Sequence, residues 1–365
     1  MKILHVIAYL SADGAYGGPA SVALAQARGL AAHHDVTLVA GGDGSWRPEP
    51  DDQFEYVPVR SWRPSRSFGA LFSPAMSREV MRRAAASDVV HVHMARDFAV
   101  GITARRLAGT QRPYVIQAHG MLNSVGGRAL ALYDRFVTRP VLERASSALV
   151  LTDRDARAIA RISPGLRRAQ IGNGVAVQGA AEHTAEDRPE VLFLARIHPR
   201  KHVERFIDMA KLLRDADVGC ECVVVGPDGG DLDMVKAAIR AGAPIRYDGA
   251  IEPGSVLRRL RQAQVLVLPS HDDQFPMVVL EALSVGTPVV VDSTSGLVGR
   301  LSGSAGARVV DQAPGDYAEA VTDLLQDRAK ATDAAVELAE REFSIEAVVE
   351  ALEHEYAQAI GGDAP

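Results

Sequence analysis

Cysteine is nearly missing from this chain: 365 residues include only Cys220 and Cys222. That excludes a small secreted scaffold held together by disulfides. The pair is spaced by two in a strand-like run, so both thiols share a face and are poorly placed to bridge each other. They read as buried, reduced thiols. With no further cysteine and no matching histidine pair, a zinc site is not expected. Long apolar runs are missing too: no stretch reaches the roughly 18 apolar residues that a membrane-crossing helix needs. The opening residues, Met1-Lys-Ile-Leu-His-Val-Ile, are short and lead into a glycine loop, which reads as a first strand and not as a signal peptide. The loop lacks the Gly-x-Gly-x-x-Gly spacing, which argues against a nicotinamide-dependent enzyme.

What is present fits a globular protein of two domains. Hydrophobic residues make up 47% of the sequence and mean hydropathy is near zero. A chain of 365 residues exceeds what one ordinary core holds. The net charge of -6 hides an asymmetry: residues 1–175 carry 22 Lys and Arg against 14 Asp and Glu, and the remainder carries 18 against 32. A basic first half attracts phosphorylated or membrane-surface partners, or is simply solvated helix surface. Strand-like runs at 3–8, 36–39, 88–92, 114–117 and 148–151 alternate with helical runs at 20–31 and 98–107. The pattern restarts with strands at 191–194, 220–225, 265–268 and 289–291 and helices at 203–213, 232–240 and 256–262. Such alternation predicts two parallel, doubly wound α/β domains. Residues 176–189 have little apolar patterning and read as linker. The expected layout is a first domain over 1–175, a linker over 176–189, a second domain over 190–340, and a long amphipathic helix within 341–365.

The densest information lies in residues 269–288, Pro-Ser-His-Asp-Asp-Gln-Phe-Pro-Met-Val-Val-Leu-Glu-Ala-Leu-Ser-Val-Gly-Thr-Pro, which follow an apolar strand. Pro276 suits a first helical turn, Gly286 a C-terminal cap, and Pro288 stops any continuation. The helix between them is apolar nearly all round and should be buried. Yet Glu281 sits in its middle, and a buried carboxylate needs a hydrogen bond or a partner. Asp272 and Asp273 stand just before the helix, where its first amides point into the loop. An acid, seven intervening residues and a glutamate make a site able to hold hydroxyls and an anion together.

A second cluster, Phe193-Leu-Ala-Arg-Ile-His-Pro-Arg-Lys-His, puts Arg196, Arg200 and Lys201 at a strand-to-helix turn. The helix dipole opposes cations there, so a phosphate is the natural guest, against the plainer reading of a solvated basic turn. The loop Gly14-Ala-Tyr-Gly-Gly-Pro, with Gly17 and Gly18, leaves the carboxyl end of the first strand, where open α/β sheets bind ligands; a plain tight turn is the alternative. His119-Gly120 follows the strand 114–117 in the same way, as a ligand contact or as a hydrogen-bonded structural residue. His91 and His93 share a face of their strand, but the sequence offers no obvious third ligand, so a metal is not expected there.

Together these segments resemble the retaining family-4 glycosyltransferases (glycosyl transferases group 1), over nearly the whole chain. Asp273-x7-Glu281 is similar to the family's Glu-x7-Glu motif, and the Arg196 to Lys201 segment to its Gly-Arg-Leu-x-x-x-Lys-Gly. The Gly17-Gly18 loop, Gln117-Ala-His-Gly-Met-Leu and Asn173-Gly-Val look like further segments of the family. The resemblance implies the GT-B fold, two doubly wound Rossmann-like domains facing across a cleft, with the final helix crossing back to the first. It implies transfer of a hexose or N-acetylhexosamine from a nucleotide diphosphate sugar, a UDP-sugar being the expected donor. Arg196 and Lys201 then hold the diphosphate, while Asp273 and His119 orient the sugar. Gly17 and Gly18 offer amides, Gly226 lines the nucleotide pocket, and Ile251 meets the base. Phe275, Pro276, Met277 and Val278 face the donor, and Glu281 holds the ribose hydroxyls.

No metal or other cofactor is expected by this resemblance. The expected partners are the nucleotide-sugar donor and an acceptor glycan, lipid-linked saccharide or small natural product, with no nucleic acid. The expected location is the cytoplasm. Peripheral contact with the inner face of the membrane through the basic first domain stays open, because loop 61–72 with Arg78, Arg82 and Arg83 is basic and aromatic. The same loop suits the wall of an acceptor pocket. Three positions depart from the family. Asp273 is a methylene shorter than the usual glutamate, Ala176 stands where Asp is usual, and Asp292-Ser-Thr-Ser-Gly-Leu-Val-Gly-Arg replaces a glycine-rich stretch. A nucleotide-sugar epimerase or hydrolase on the same scaffold, and a non-catalytic sugar-nucleotide-binding protein, are the alternative readings.

Overall fold

A computed structural model describes residues 1–12, 17–62, 68–123, 126–180 and 188–361. The chain divides into two compact units, Met1–Gly174 with Ile345–Pro365, and Val175–Ser344. Of the stretch read as linker, 181–187 lies outside the described residues. Just before it, Val175 N donates to Phe343 O and Gln178 N to Ser284 O, both at 2.9 Å, so this backbone is tied into the second unit.

The first unit is built on seven parallel strands: β1 (Lys2–Leu10), β2 (Asp35–Gly42), β3 (Glu55–Arg60), β4 (Val89–His93), β5 (Tyr114–Gln117), β6 (Ser147–Val150) and β7 (Arg168–Gln170). Their order across the sheet is β3-β2-β1-β4-β5-β6-β7. The central strands are buried on both faces, which is why they read as near-continuous apolar runs. The helix Ile345–Gly361 joins this unit, not the second. Val348, Val349, Leu352 and Tyr356 pack with Leu30, Leu38, Val89 and Leu149. Gly29 lets the helix Gly17–Ala31 approach it closely, since a Cβ there would lie 2.7 Å from Val349 Cγ2. Glu355 secures the contact by accepting from Ser147 Oγ at 3.0 Å and pairing with Arg167.

The second unit has six parallel strands: β8 (Glu190–Leu194), β9 (Glu221–Val225), β10 (Ile245–Tyr247), β11 (Val265–Leu268), β12 (Val289–Asp292) and β13 (Ala307–Val310), in the order β10-β9-β8-β11-β12-β13. The unit runs on to Ser344 through the helix Arg328–Phe343, and Ser344, with extended backbone angles, separates that helix from the final one. Both cysteines are free; Cys222 is buried in β9, but Cys220 precedes the strand and is half-buried, which corrects the expectation of two buried thiols.

Every inner strand of both sheets corresponds to an apolar run in the sequence, and the four strands without such a run, β3, β7, β10 and β13, are the four sheet edges. An edge strand is short and partly solvated, so nothing forces it to be apolar. The final helix's place in the first core gives a test. Leu352 is fully buried, so Leu352→Ala should destabilise the protein by about 2–5 kcal/mol. Denaturant melts resolved by hydrogen exchange should locate that loss in residues 1–174 and spare 175–344.

Candidate functional site

Strand order reverses once in each sheet, between β1 and β4 in the first unit and between β8 and β11 in the second. At such a point the helices that follow leave to opposite faces, and the carboxyl ends of the two strands open a crevice. Lys201 and Asp273 meet at the second of these and His119 lies beside the first, while Gly226 follows β9 and Ile251 follows β10.

In the second unit, β8 is followed by exposed Arg196, buried Ile197 and a tight turn Pro199–Lys201. The turn is rigid: His198 Nδ1 accepts from Arg200 N at 3.1 Å, and Ile197 exchanges backbone bonds with Pro227 and Gly229. Across the crevice, β11 leads into the loop that carries Asp272, in a left-handed conformation with φ 59, and Asp273. Lys201 Nζ meets Asp273 Oδ2 at 2.6 Å, with both side chains about a quarter exposed. Arg196 and Arg200 have no side-chain ion partner among the described residues. The turn thus carries three cations and the facing loop carries Asp272 and Asp273, and that loop leads into the helix Met277–Ser284, whose first amides have no intrahelical partner.

Glu281 sits one turn into that helix. Its surface is partly open, yet burial pushes its carboxyl up to about 7, and no hydrogen bond or ion pair reaches that carboxyl among the described residues. The expectation that it must be paired is thus corrected: the raised carboxyl and its remaining solvent access take the place of a protein partner. Gly226, at φ 148, closes the end of β9 against β8, where a Cβ would lie 1.8 Å from Ala195 O. Its N donates to Gly249 O at 2.8 Å, two residues before half-buried Ile251. Phe275 and Pro276 turn inward. Phe275 packs edge-on against Phe343 at 6.2 Å, with the Arg300 guanidinium over its ring, so it forms the wall behind the site. Met277 and Val278 are half-buried at the helix start.

The segment that departs from the family turns out to brace this loop. Asp292 is fully buried and accepts from Arg205 at 3.0 Å, Tyr317 Oη at 3.1 Å and Thr294 N at 2.8 Å. Thr294 Oγ1 then accepts from Asp272 N at 2.9 Å, and Gly296 N donates to Asp273 O at 2.9 Å. Gly296 is required by space, since its Cβ would lie 2.0 Å from Gln274 O. These residues were missed as site residues. Their signal was the run of Asp, Ser, Thr and Gly, side chains that bond to nearby backbone and shape turns.

In the first unit, Tyr9, Pro19, His93, His119 and Met121 line a small cavity at the carboxyl ends of β1 and β4. The helix Gly17–Ala31 starts at its rim, while residues 14–16 of the glycine loop lie outside the described residues. Gly18 is exposed, and a Cβ there would touch none of the described residues. His119, at φ 51, and Gly120, at φ 71, make the turn after β5. His93 Nδ1 lies 2.9 Å from His119 Nε2, and burial pulls the His119 imidazole down to about 3. The absence of a third histidine near His91 and His93 is also corrected, because His5 on β1 pairs in register with His91. Of the basic aromatic loop, 63–67 lies outside the described residues; Trp62 and Phe72 form a backbone bridge and are about half exposed. Arg82 and Arg83 are tied to Glu79 and Glu55, so this surface carries less free charge than the sequence suggests.

Comparison with known proteins agrees with this geometry. Residues 178–341 match the family described as Glycosyl transferases group 1, and residues 17–174 match the Glycosyl transferase 4-like domain. A D-inositol 3-phosphate glycosyltransferase of Mycolicibacterium vanbaalenii is 31% identical over 312 residues, covering 75% of this chain and 67% of that one. The chain belongs to the glycosyl transferases group 1 family. Another member, D-inositol 3-phosphate glycosyltransferase 2 of Catenulispora acidiphila, is 29% identical over 288 residues, 70% of this chain and 66% of that one. The chain thus spans about two thirds of the length of these curated relatives. Among solved structures, sucrose-phosphate synthase from Thermosynechococcus elongatus superposes with a TM-score of 0.76 at 17% identity, covering 98% of this chain and 99% of that one. Anabaena HepE in complex with UDP and glucose gives 0.74 at 15% identity, with the same coverage. These likenesses are of fold, the GT-B fold.

The bracing role of the 292–296 segment is testable by a pair of glycine substitutions. Gly296→Ala should lower stability by about 1–3 kcal/mol through its clash with Gln274 O. Gly299→Ala, whose Cβ would meet nothing, should leave the thermal melt within about 0.5 kcal/mol of wild type. Equal melts for the two variants would contradict the role given to Gly296.

Proposed function

We propose that this family member is a retaining glycosyltransferase that moves a hexose or N-acetylhexosamine from a UDP-sugar to an acceptor hydroxyl. The observation that carries this reading is the Lys201–Asp273 pair at the crevice of the second unit, with Arg196 and Arg200 in the same strand-to-helix segment as Lys201 and without an ion partner among the described residues. Cations and helix-start amides together suit a diphosphate. In the reaction the acceptor oxygen attacks the anomeric carbon from the face the leaving group departs. The bond from that carbon to the phosphate oxygen breaks as the new C–O bond forms, and the acceptor's proton passes to a phosphate oxygen. Negative charge grows on the departing nucleoside diphosphate, so Arg196 and Lys201 hold the transition state more tightly than the ground state. Since these side chains supply the charge, turnover is expected without added divalent metal.

Asp273, fixed by Lys201, and His119, kept neutral by burial, orient the sugar. Ile251 offers its backbone to the base, and Glu281 accepts the ribose hydroxyls. The UDP and glucose held by Anabaena HepE support the choice of donor. The surplus of Lys and Arg in residues 1–175 favours an acceptor that carries phosphate, in line with the name D-inositol 3-phosphate glycosyltransferase given to the relatives. A glycan, a lipid-linked saccharide or a small natural product bearing phosphate fits that charge. No helix among the described residues is long and apolar enough to cross a membrane, so any membrane contact of this enzyme through them would be peripheral.

Two measurements test the donor site. Lys201→Ala should lower kcat by about 100-fold or more; a near-normal rate would remove Lys201 from the chemistry. The second test uses pH. Burial raises the Glu281 carboxyl from 4.5 to about 7, and the ionised form is the stronger acceptor for ribose hydroxyls. Affinity for UDP-glucose, measured by calorimetry, should therefore rise with pH up to about 7, by at most about tenfold per unit, and then level off. Glu281→Gln should abolish that slope. In the free protein the sign is reversed: the folded state binds more protons between about 4.5 and 7, so this group's contribution to stability is lost as pH rises through that window. A flat wild-type affinity would rule out the ribose role.

A further inference from the structure

We propose that His93 and His5 are positioning residues that fix the tautomer of His119, so that His119 presents a protonated Nδ1 at the crevice of the first unit. This rests on the reading that His119 contacts the sugar, and it identifies what sets that contact.

The three rings form a chain. His5 Nδ1 lies 3.0 Å from His93 Nε2, and His93 Nδ1 lies 2.9 Å from His119 Nε2. His5 and His93 are buried, and the rings of His93 and His119 are nearly parallel, 10° apart. A bond between two imidazoles needs one N–H and one lone pair, and a neutral imidazole has one of each. The protons on the three rings are therefore not independent. Only two arrangements make both bonds. In one, His5 Nδ1–H donates to His93 Nε2, His93 Nδ1–H donates to His119 Nε2, and His119 carries its proton on Nδ1. In the other every donor is reversed, and His5 carries its proton on Nε2.

The inner end of the chain decides between them. His5 Nε2 is buried with no hydrogen-bond partner. An orphaned N–H is the rarer defect in protein interiors, and a bare acceptor is tolerated more often. The arrangement that leaves a lone pair on His5 Nε2 is therefore favoured, and it puts the His119 proton on Nδ1. That nitrogen has no partner among the described residues. Burial pulls the His5 and His119 imidazoles down to about 3 and that of His93 well below its ordinary value, so the chain stays neutral at physiological pH.

A metal is the rival explanation for this cluster, since His5, His91 and His93 each offer a nitrogen within 4.8 Å of the others. The hydrogen bonds argue against it: His93 Nε2 faces His5 Nδ1 and His93 Nδ1 faces His119 Nε2, so both nitrogens of the middle ring are already engaged. His91 stands outside the chain, with its Nδ1 2.7 Å from Tyr356 Oη on the final helix.

The test is side-chain 15N NMR of the histidine-labelled full chain, in which long-range correlations identify the protonated nitrogen of each ring. Wild type should show His119 in one form, protonated on Nδ1. His93→Phe keeps the ring's bulk but removes both bonds, and should convert His119 to a mixture containing the Nε2–H form. His93→Asn places an amide N–H where Nδ1 was and should restore the single Nδ1–H form. In parallel, kcat of His93→Phe should fall about tenfold with KM for the donor within about twofold, and His93→Asn should recover most of the loss. A wild-type His119 protonated on Nε2, a His119 spectrum unchanged in His93→Phe, or a stoichiometric metal in the purified chain would each overturn the proposal. Normal turnover in His119→Ala would instead overturn the sugar-contact reading, without touching the tautomer assignment.

Discussion

Right-handed crossovers force a parallel sheet to open at the point where its strand order reverses, because the helices after the two neighbouring strands leave on opposite faces. Both candidate sites of this chain lie at such a point. In the second unit the reversal falls between β8 and β11, and Lys201 and Asp273, 72 residues apart in sequence, are brought to 2.6 Å. In the first it falls between β1 and β4, where His93 closes the end of β4 and the turn holding His119 lies beside it.

The side chains that occupy such a place cannot be explained by stability. The Lys201–Asp273 pair is part-exposed, and a pair of that kind contributes about 1 kcal/mol or less. The stabilising network lies one layer deeper, in fully buried Asp292. A buried carboxylate is costly unless its oxygens are satisfied, and here Arg205, Tyr317 and Thr294 all donate to it. Through Thr294 and Gly296 that rigidity is passed to the backbone of Asp272 and Asp273. The site thus has an inexpensive exposed pair held in place by a costly buried network, the arrangement that keeps a charge pre-aligned without reorganisation.

How much of this was legible in the sequence follows from where each residue gets its constraint. Inner strands must be apolar on both faces, so β1, β4, β8 and β11 are visible as runs; β3, β7, β10 and β13 lie at edges and leave no such trace. The clustering of Arg196, Arg200 and Lys201, and of Asp273 with Glu281, was legible because each group lies within one short strand–loop–helix stretch of sequence. The Lys201–Asp273 contact was not, and neither was His5 beside His91, because strand register couples residues remote in sequence. The bracing by Thr294 and Gly296 was masked for another reason: turn-forming residues look alike whether they shape a loop or support one. Glu281 misled in the opposite direction, since burial raises its carboxyl to about 7 and so relaxes the need for a partner that burial alone would impose.

The two crevices solve the same problem with different chemistry. The second collects formal charge, Arg196, Arg200 and Lys201 on the turn against Asp272 and Asp273 on the loop, which suits a partner that is itself charged. The first places around His119 a set of neutral rings, each driven well below its ordinary pKa by burial. A neutral hydrogen-bonded chain gives direction without attraction. It favours one orientation of a hydroxyl-bearing ligand over another while adding little to the affinity for any anion. Were His119 instead protonated, its burial would oppose the charge. Low pKa values in this cluster are therefore what a site for orienting an uncharged group requires, and the second crevice, open enough to keep its cations solvated until a ligand arrives, has what a site for a diphosphate requires.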